Sequence, residues 1–491
     1  MVEKIQVAVI GAGLGGICSG VKLKEAGIDD FLIFDKNPKV GGVWHENNYP
    51  GCACDVPIAL YSLSFAPSIN WSHLFPRSAE IQAYVEEVAQ TFQLTSHLRL
   101  SQGATKAEWN EELRHWKITT ESGDVYEAQS VVAALGQLNR PAWPDIKGRD
   151  TFAGPSIHSA RWDSSVDLKG KRVGVIGAAA SAVQLIPEVA KEASQLTVFQ
   201  RTPNWVTPRG DREITAEEKA MLMTQPEAAM RVGAANRQIV YDNADYFFWQ
   251  VFEWTKEGRE AYTRIALDLL NTQITDPELR AKLTPDYPIG CKRILITDEF
   301  YPAMMRDNVS LVTEGISAIN PKGVETADGE LHEFDVLIYA TGFETTGWKW
   351  SMDVVGRHGA HLNDVWSDAP EAYLGITVND FPNLFVLYGP NTNLGHNSII
   401  FMLEQQVGYT VAALKAMKDK QAQAMVPTKD AQKRFNAELQ EQLGTTVWAD
   451  PHCNSWYKNA DGKITQNWGS HTRGYAEATS TVELDDYEFL S

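Results

Sequence analysis

Two stretches of this 491-residue chain repeat one plan: an apolar strand, a turn of small residues, a helix, a second strand and then a charged residue. The first runs through Ile5-Gln-Val-Ala-Val-Ile10, Gly11-Ala-Gly13-Leu-Gly15-Gly16, a helical pattern from Ile17 to Ala26 stopped by Gly27, and Phe31-Leu-Ile-Phe34, ending at Asp35. Gly11 permits the tight turn, Gly13 lets a pyrophosphate approach the backbone, and Gly16 allows close packing of helix on strand, while the helix N-terminus supplies positive potential. Asp35, 24 residues after Gly11, can accept hydrogen bonds from a ribose 2′-OH.

The second copy is Arg172-Val-Gly-Val-Ile176, Gly177-Ala-Ala179-Ala-Ser181-Ala182, a helix through Ala190, and Leu196-Thr-Val-Phe199. Its residue 24 after the first glycine is Arg201, a cation that suits a ribose carrying a 2′-phosphate. The first site is therefore expected to hold FAD and the second NADPH. The second and third glycines are replaced by Ala179 and Ala182. Alanine is a common variant at the third position, but the Cβ of Ala179 lies where the backbone should meet the pyrophosphate. One reading is weakened or shifted NADPH binding; the other is a fold remnant that binds no nucleotide. Arg201 and the downstream Lys292-Arg293 pair favour the first.

Composition narrows the class. Single cores stop growing near ~250–300 residues, so two or three domains are expected. An apolar content of 44% with 22% charged residues is ordinary for a globular chain. A net charge of −19 disfavours nucleic acid and anionic membrane as partners. No signal peptide is visible at the N-terminus, and no apolar run approaches the ~18 residues that span a bilayer, so a cytoplasmic location is expected. Cys18, Cys52, Cys54, Cys291 and Cys453 are odd in number and scattered, which predicts reduced thiols. The one-residue gap between Cys52 and Cys54 suits neither a redox pair nor a zinc site, and no metal is expected.

Three further segments carry chemistry. Gly41-Gly42-Val43-Trp44-His-Glu-Asn-Asn-Tyr49-Pro50-Gly51-Cys-Ala-Cys-Asp55 is a glycine- and aromatic-rich loop, too irregular for a helix or strand. Gly290-Cys291-Lys292-Arg293 offers a guanidinium that stays charged at any working pH and can face a carboxylate on one side and an oxyanion on the other. Between the two nucleotide signatures lies Phe152-Ala-Gly154-Pro-Ser-Ile-His158-Ser-Ala-Arg-Trp162-Asp163. That spaced Phe/Gly/His/Trp set, with the other two segments, resembles the type I Baeyer–Villiger monooxygenases, class B flavoprotein monooxygenases, from end to end.

The resemblance implies an α/β fold of two interleaved Rossmann-like dinucleotide-binding domains with a helical insertion. The FAD domain is expected at 1–145 and 374–491, the NADP domain at 150–210 and 289–373, and the insertion at 211–288. The implied FAD set is Gly11, Gly13, Gly16, Asp35, Gly42, Val43, Trp44, Asp55 and Tyr61; the NADP set is Gly177, Ser181, Ala182, Arg201, Thr202, Lys292, Arg293 and Trp456. Asp335-Val-Leu-Ile-Tyr-Ala340-Thr341-Gly342-Phe343 resembles the turn where such chains cross back to the flavin domain, and Leu384 to Ser398 the strand and loop under the flavin ring. Arg293 and Asp55 are the implied catalytic pair. The fingerprint Phe152, Gly154, His158, Trp162 and Asp163 falls at an interdomain crossing, where His158 suits a hinge or gate ahead of a catalytic role.

The implied reaction reduces FAD with NADPH, adds O2 to give a C4a-peroxyflavin, and inserts one oxygen into a ketone to give an ester or lactone, with sulfoxidation as a side activity. Competing readings are a flavin monooxygenase that oxidises nitrogen or sulfur, a disulfide reductase, for which the cysteine spacing is wrong, and a non-catalytic nucleotide-binding protein. A small apolar ketone and O2 are the expected partners of a monomer or homodimer. In the insertion, Thr215-x-x-Glu218 reads as a capping box and Asp276-Pro277 as a helix start. Tyr246-Phe-Phe-Trp249 and Phe252-x-Trp254 read as core aromatics, with a substrate pocket as the alternative.

Overall fold

The strand Glu3–Ile10 is exposed only at Glu3 and Lys4, as a run of Val, Ala and Ile must be when helices cover both faces of a parallel sheet. In this computed structural model, which describes residues 2–68, 70–224, 241–246, 248–253, 256–345 and 350–491, it lies between Phe31–Phe34 and Val125–Ala133 and parallel to both. Leu98–Arg99 extends the sheet beyond Phe31–Phe34. Besides Glu3–Ile10, Val125–Ala133 serves two further neighbours. Its first part pairs antiparallel with His115–Thr120, which leads to Ala104–Asn110, and its end pairs parallel with Leu384–Val386.

The second sheet is wholly parallel, in the order Val309–Val312, Gln195–Phe199, Arg172–Ile176, Val336–Tyr339, Ser156–His158. The helix Ala180–Glu192 buries Ala182, Val183, Leu185, Ile186, Val189 and Ala190 against it. Among the described residues the chain crosses between the sheets twice, and the two crossings run side by side at 140–142 and 342–344. Ala142 N–H donates to Gly342 C=O and Glu344 N–H to Arg140 C=O, each at 2.9 Å, and Arg140 forms an ion pair with Glu344. By Asp353–Val355 the chain is already an edge strand of the first sheet, beside Lys106–Glu108. That return precedes the 374 boundary read from the sequence, because a three-residue strand has no legible period until its partner is known.

The insertion supplies helices Ala216–Thr224, Lys256–Gln273 and Pro277–Leu283. Glu218 N–H donates to Thr215 Oγ1 at 3.1 Å while Thr215 N–H donates to the Glu218 carboxylate at 2.8 Å, closing the capping box. Asp276 accepts from Glu278 N–H at 2.9 Å, one residue ahead of the first-turn Pro277. Trp249 and Phe252 are core residues, whereas Tyr246 and Phe248 are exposed; Phe247, Trp254 and 225–240 lie outside the described residues. Trp249 and Phe252 join Tyr287, Cys291, Trp448 and Tyr457 in one buried cluster that ties the insertion to the Gly290–Arg293 segment and to the C-terminal part of the chain.

Candidate active site

Asp55 and Arg293 are 238 residues apart in sequence and meet directly: Arg293 Nε and Nη2 both donate to Asp55 Oδ2, at 2.9 and 2.6 Å. Both bonds fall on one carboxylate oxygen, and no protein acceptor is recorded for Nη1 among the described residues. The Arg293 side chain is 41% exposed and that of Asp55 28%, so the pair is open on one side. The Asp55 carboxylate raises the Arg293 pKa further against the opposing effect of burial, and the guanidinium is cationic at any working pH. Tyr388 and Tyr457 stand near it. Burial pushes the Tyr457 phenol up to about 12 and the Tyr388 phenol up as well, so both are neutral hydroxyls.

The segment before Arg293 is held from three directions. Trp448 Nε1 donates to Gly290 C=O at 3.1 Å, Cys291 is bonded to Cys453 as a disulfide, and Lys292 Nζ lies 4.6 Å from the ring centroid of Tyr287. The disulfide corrects the expectation of reduced thiols throughout. Its cysteines are 162 residues apart, a pairing that spacing along the chain could not show; Cys18, Cys52 and Cys54 are free and buried. Behind Asp55, Arg209 donates from Nη2 to Cys54 C=O at 3.2 Å and to Phe75 C=O at 3.4 Å. Nothing in the sequence around this single arginine marked it.

The nucleotide turns fit dinucleotides. Asp35 is buried at the end of its strand; Ala12 N–H donates to its Oδ2 at 2.6 Å and Asn37 N–H to its Oδ1 at 2.8 Å, so the carboxylate is fixed beside the glycine turn. Gly13 and Gly42 face each other, and a Cβ built on Gly13 would stand 3.6 Å from Gly42 Cα, in a cradle that side chains would fill. Trp44 Nε1 donates to Tyr61 OH at 3.0 Å, and the two rings meet edge to face at 5.5 Å. Val43 and Trp44 begin a single helical turn, Val43–Glu46.

In the second unit Ala179 is the extended residue before the helix and is exposed, while Ser181 and Ala182 fall in the helix's first turn. Burial and then the charge of Arg201 lower the Lys292 pKa, with Asp286 acting the other way, so the two cations repel. Neither forms an ion pair among the described residues. A phosphate dianion would relieve that repulsion, so the pair fits a 2′-phosphate. Thr202 follows Arg201 and is partly buried; Trp456 is half-buried with its ring 4.7 Å from Tyr457.

The fingerprint residues pack on the second sheet and beside the crossings. Ser156–His158 is the edge strand of the second sheet. His158 Nδ1 accepts from Ala160 N–H at 3.1 Å, and Nε2 lies 3.3 Å from Thr341 Oγ1, which itself donates to Ala142 C=O at 2.6 Å. One imidazole thus touches both crossings, and burial lowers its pKa. Phe152 packs in a small core with Phe334, Gly154 sits where a Cβ would overlap Asp335 C=O, Trp162 packs against the second unit's core, and Asp163 is exposed and caps Ser165.

Two dinucleotide folds in one chain, with Asp35 beside one glycine turn and Arg201 after the other, are the layout of flavoprotein oxidoreductases that also take a nicotinamide nucleotide. Residues 8–219 match the family described as pyridine nucleotide-disulphide oxidoreductase. A Baeyer–Villiger monooxygenase of Streptomyces coelicolor is 40% identical, over 99% of this chain and 93% of its own length; one of Pseudomonas aeruginosa is 39% identical, over 99% and 92%. Among solved structures, the closed crystal structure of cyclohexanone monooxygenase superposes with a TM-score of 0.89 at 29% identity over the full length of both chains. An oxidized steroid monooxygenase bound to NADP gives 0.88 at 29%, also over both full lengths. The chain belongs to the Baeyer–Villiger monooxygenases, and so to the FAD- and NADP-dependent monooxygenase class of oxidoreductases.

Proposed function

We propose that this protein uses NADPH and FAD to insert one atom of O2 into a small apolar ketone, giving an ester or lactone, with Arg293 and Asp55 as the catalytic pair. The observation that supports it is the geometry of that pair: Asp55 holds the Arg293 guanidinium by Nε and Nη2, and Nη1 meets no protein acceptor among the described residues. When bound, FAD takes hydride from NADPH and activates O2, chemistry that belongs to the cofactor. The protein's task is binding, orientation and charge.

Gly11, Gly13, Gly16, Gly42 and Asp35 would hold the FAD pyrophosphate and ribose, with Trp44 and Tyr61 against the flavin. The first turn of the helix Ala180–Glu192 would take the NADPH pyrophosphate, and Arg201 with Lys292 the 2′-phosphate. Arg293 would stabilise the oxyanion that develops when the ketone carbonyl is attacked; one such preorganised donor is worth about 2.7–4 kcal/mol. Asp55 aligns Arg293 and balances its charge while hydride moves. His158 would pin the two crossings and so set how the second unit swings against the first.

The test is NADPH oxidation by the FAD-loaded protein with linear, cyclic and aryl ketones, products identified by mass spectrometry. Ketone-stimulated consumption with an ester one oxygen heavier is expected. Stimulation by amines or sulfides alone would move the chain to electrophilic oxidation. Arg293→Ala is expected to keep FAD and lose ester formation by ~10²–10³-fold.

A further inference from the structure

The loop that carries Asp55 belongs to the first unit, yet its backbone is held by a side chain of the second. Gln184, in the helix Ala180–Glu192, donates from Nε2 to Ala53 C=O at 3.0 Å. Its Oε1 accepts from Tyr49 OH at 2.9 Å and faces Ala53 N–H at 3.4 Å. One amide therefore meets both polar groups of the Ala53 main chain, two residues before Asp55. At Gly51 the backbones of the two units touch: a Cβ there would overlap the Gln184 carbonyl, so this position admits only glycine without displacing the helix. Tyr49 and Ala53 are buried, and an unpaired polar group at this interface would carry the full cost of lost hydration. Beyond Ala53, Cys54 N–H donates to Pro76 C=O at 2.9 Å and Asp55 turns to Arg293.

We infer that Gln184 is a positioning residue that couples nicotinamide-nucleotide binding to the alignment of the Asp55–Arg293 pair. The inference rests on the reading of this helix's N-terminus as the NADPH pyrophosphate site. Gln184 follows Ser181 by three residues and so lies on the same helix face, one turn along. A nucleotide seated at the first turn fixes the helix, the helix fixes Gln184, and Gln184 fixes the register of residues 49–55. Gln184 touches neither the reacting atoms nor, from its second-turn position, the pyrophosphate; it acts through the Ala53 backbone. A small displacement of a catalytic pair is enough for a large loss of rate, on the order of 10²-fold per ångström.

The experiment uses the FAD-loaded full chain and Gln184→Leu, which keeps the side-chain volume and removes the three contacts. The first readout is hydrogen–deuterium exchange of residues 49–55 with and without NADP+. In the parent, NADP+ should slow exchange there by about fivefold or more. In Gln184→Leu that response should vanish while the NADP+ dissociation constant stays within about threefold of the parent. The second readout is the rate of flavin reduction at saturating NADPH, expected to fall about tenfold in Gln184→Leu and to fall no further when Asp55→Asn is already present. NADP+-dependent protection that persists in Gln184→Leu, or losses that multiply in the double variant, would overturn the inference. If Gln184→Leu does not fold, Tyr49→Phe removes one of the contacts without a cavity and should show the same change at smaller size; an unchanged response there would equally overturn it. These readouts need no ketone, so a failure to form ester would count against the proposed function and leave this coupling to be judged separately.

Discussion

The two nucleotide turns start alike and then diverge. At the first position both need glycine for one reason: a Cβ on Gly11 would overlap Ala134 C=O, and one on Gly177 would overlap Ala340 C=O, the residue that follows the neighbouring strand in each sheet. At the third position they differ. A Cβ on Gly16 would overlap Gly11 C=O, whereas the second unit accommodates Ala182, fully buried, at the equivalent place. The first helix is thus seated tightly on its turn and the second stands slightly off it. A tight seat suits a cofactor that stays bound, and a looser one suits a nucleotide that must come and go with each turnover.

That contrast can be broken by substitution. The largest effect is expected from Gly16→Val, which forces helix and turn apart. Purified protein should carry little or no flavin and unfold at lower temperature, a cost of about 3 kcal/mol or more; normal flavin content by absorbance would show that the tight seat is not required. Next comes Arg201→Ala. Removing one charge-assisted contact should weaken NADP+ binding by ~10–100-fold with NAD+ affinity unchanged, and equal losses for both nucleotides would place the 2′-phosphate elsewhere.

Ala179→Gly should act in the opposite direction and more mildly, tightening NADP+ by about twofold to fivefold as the backbone becomes free to approach the pyrophosphate. No change in a binding titration would mean that the nucleotide already avoids this residue. The smallest effect concerns pH. His158 is buried in the second unit, and burial holds its pKa below the ordinary 6.5. The unfolded chain then binds more protons than the folded one between those two values, so the stabilising contribution of the neutral ring is complete above pH 6.5 and is lost as pH falls through the folded value. The unfolding midpoint should drop on acidification below about pH 6.5, and His158→Asn should flatten that slope.

The strand–turn–helix plan of both units, the capping box at Thr215 and Glu218, and the helix start at Asp276 were legible because each depends on residues within a few positions of one another. So was the opposite sign of Asp35 and Arg201, since the motif itself fixes how far each lies from its glycine. The pairing of Asp55 with Arg293 was suggested by family resemblance and not by any local rule.

Other features belong to tertiary structure alone. The Cys291–Cys453 disulfide, the buried Arg209 behind Asp55, the early return of the chain to the first sheet at Asp353 and the grip of Gln184 on Ala53 each join residues far apart in sequence. No periodicity or spacing encodes such contacts. The sequence determined which local elements form and which charges each nucleotide site presents, because turns, caps and helix faces are short-range. Only the packing of the two units decided which backbone groups meet across their interface, because that depends on how closely two helices and two sheets can approach once every buried polar group has found a partner.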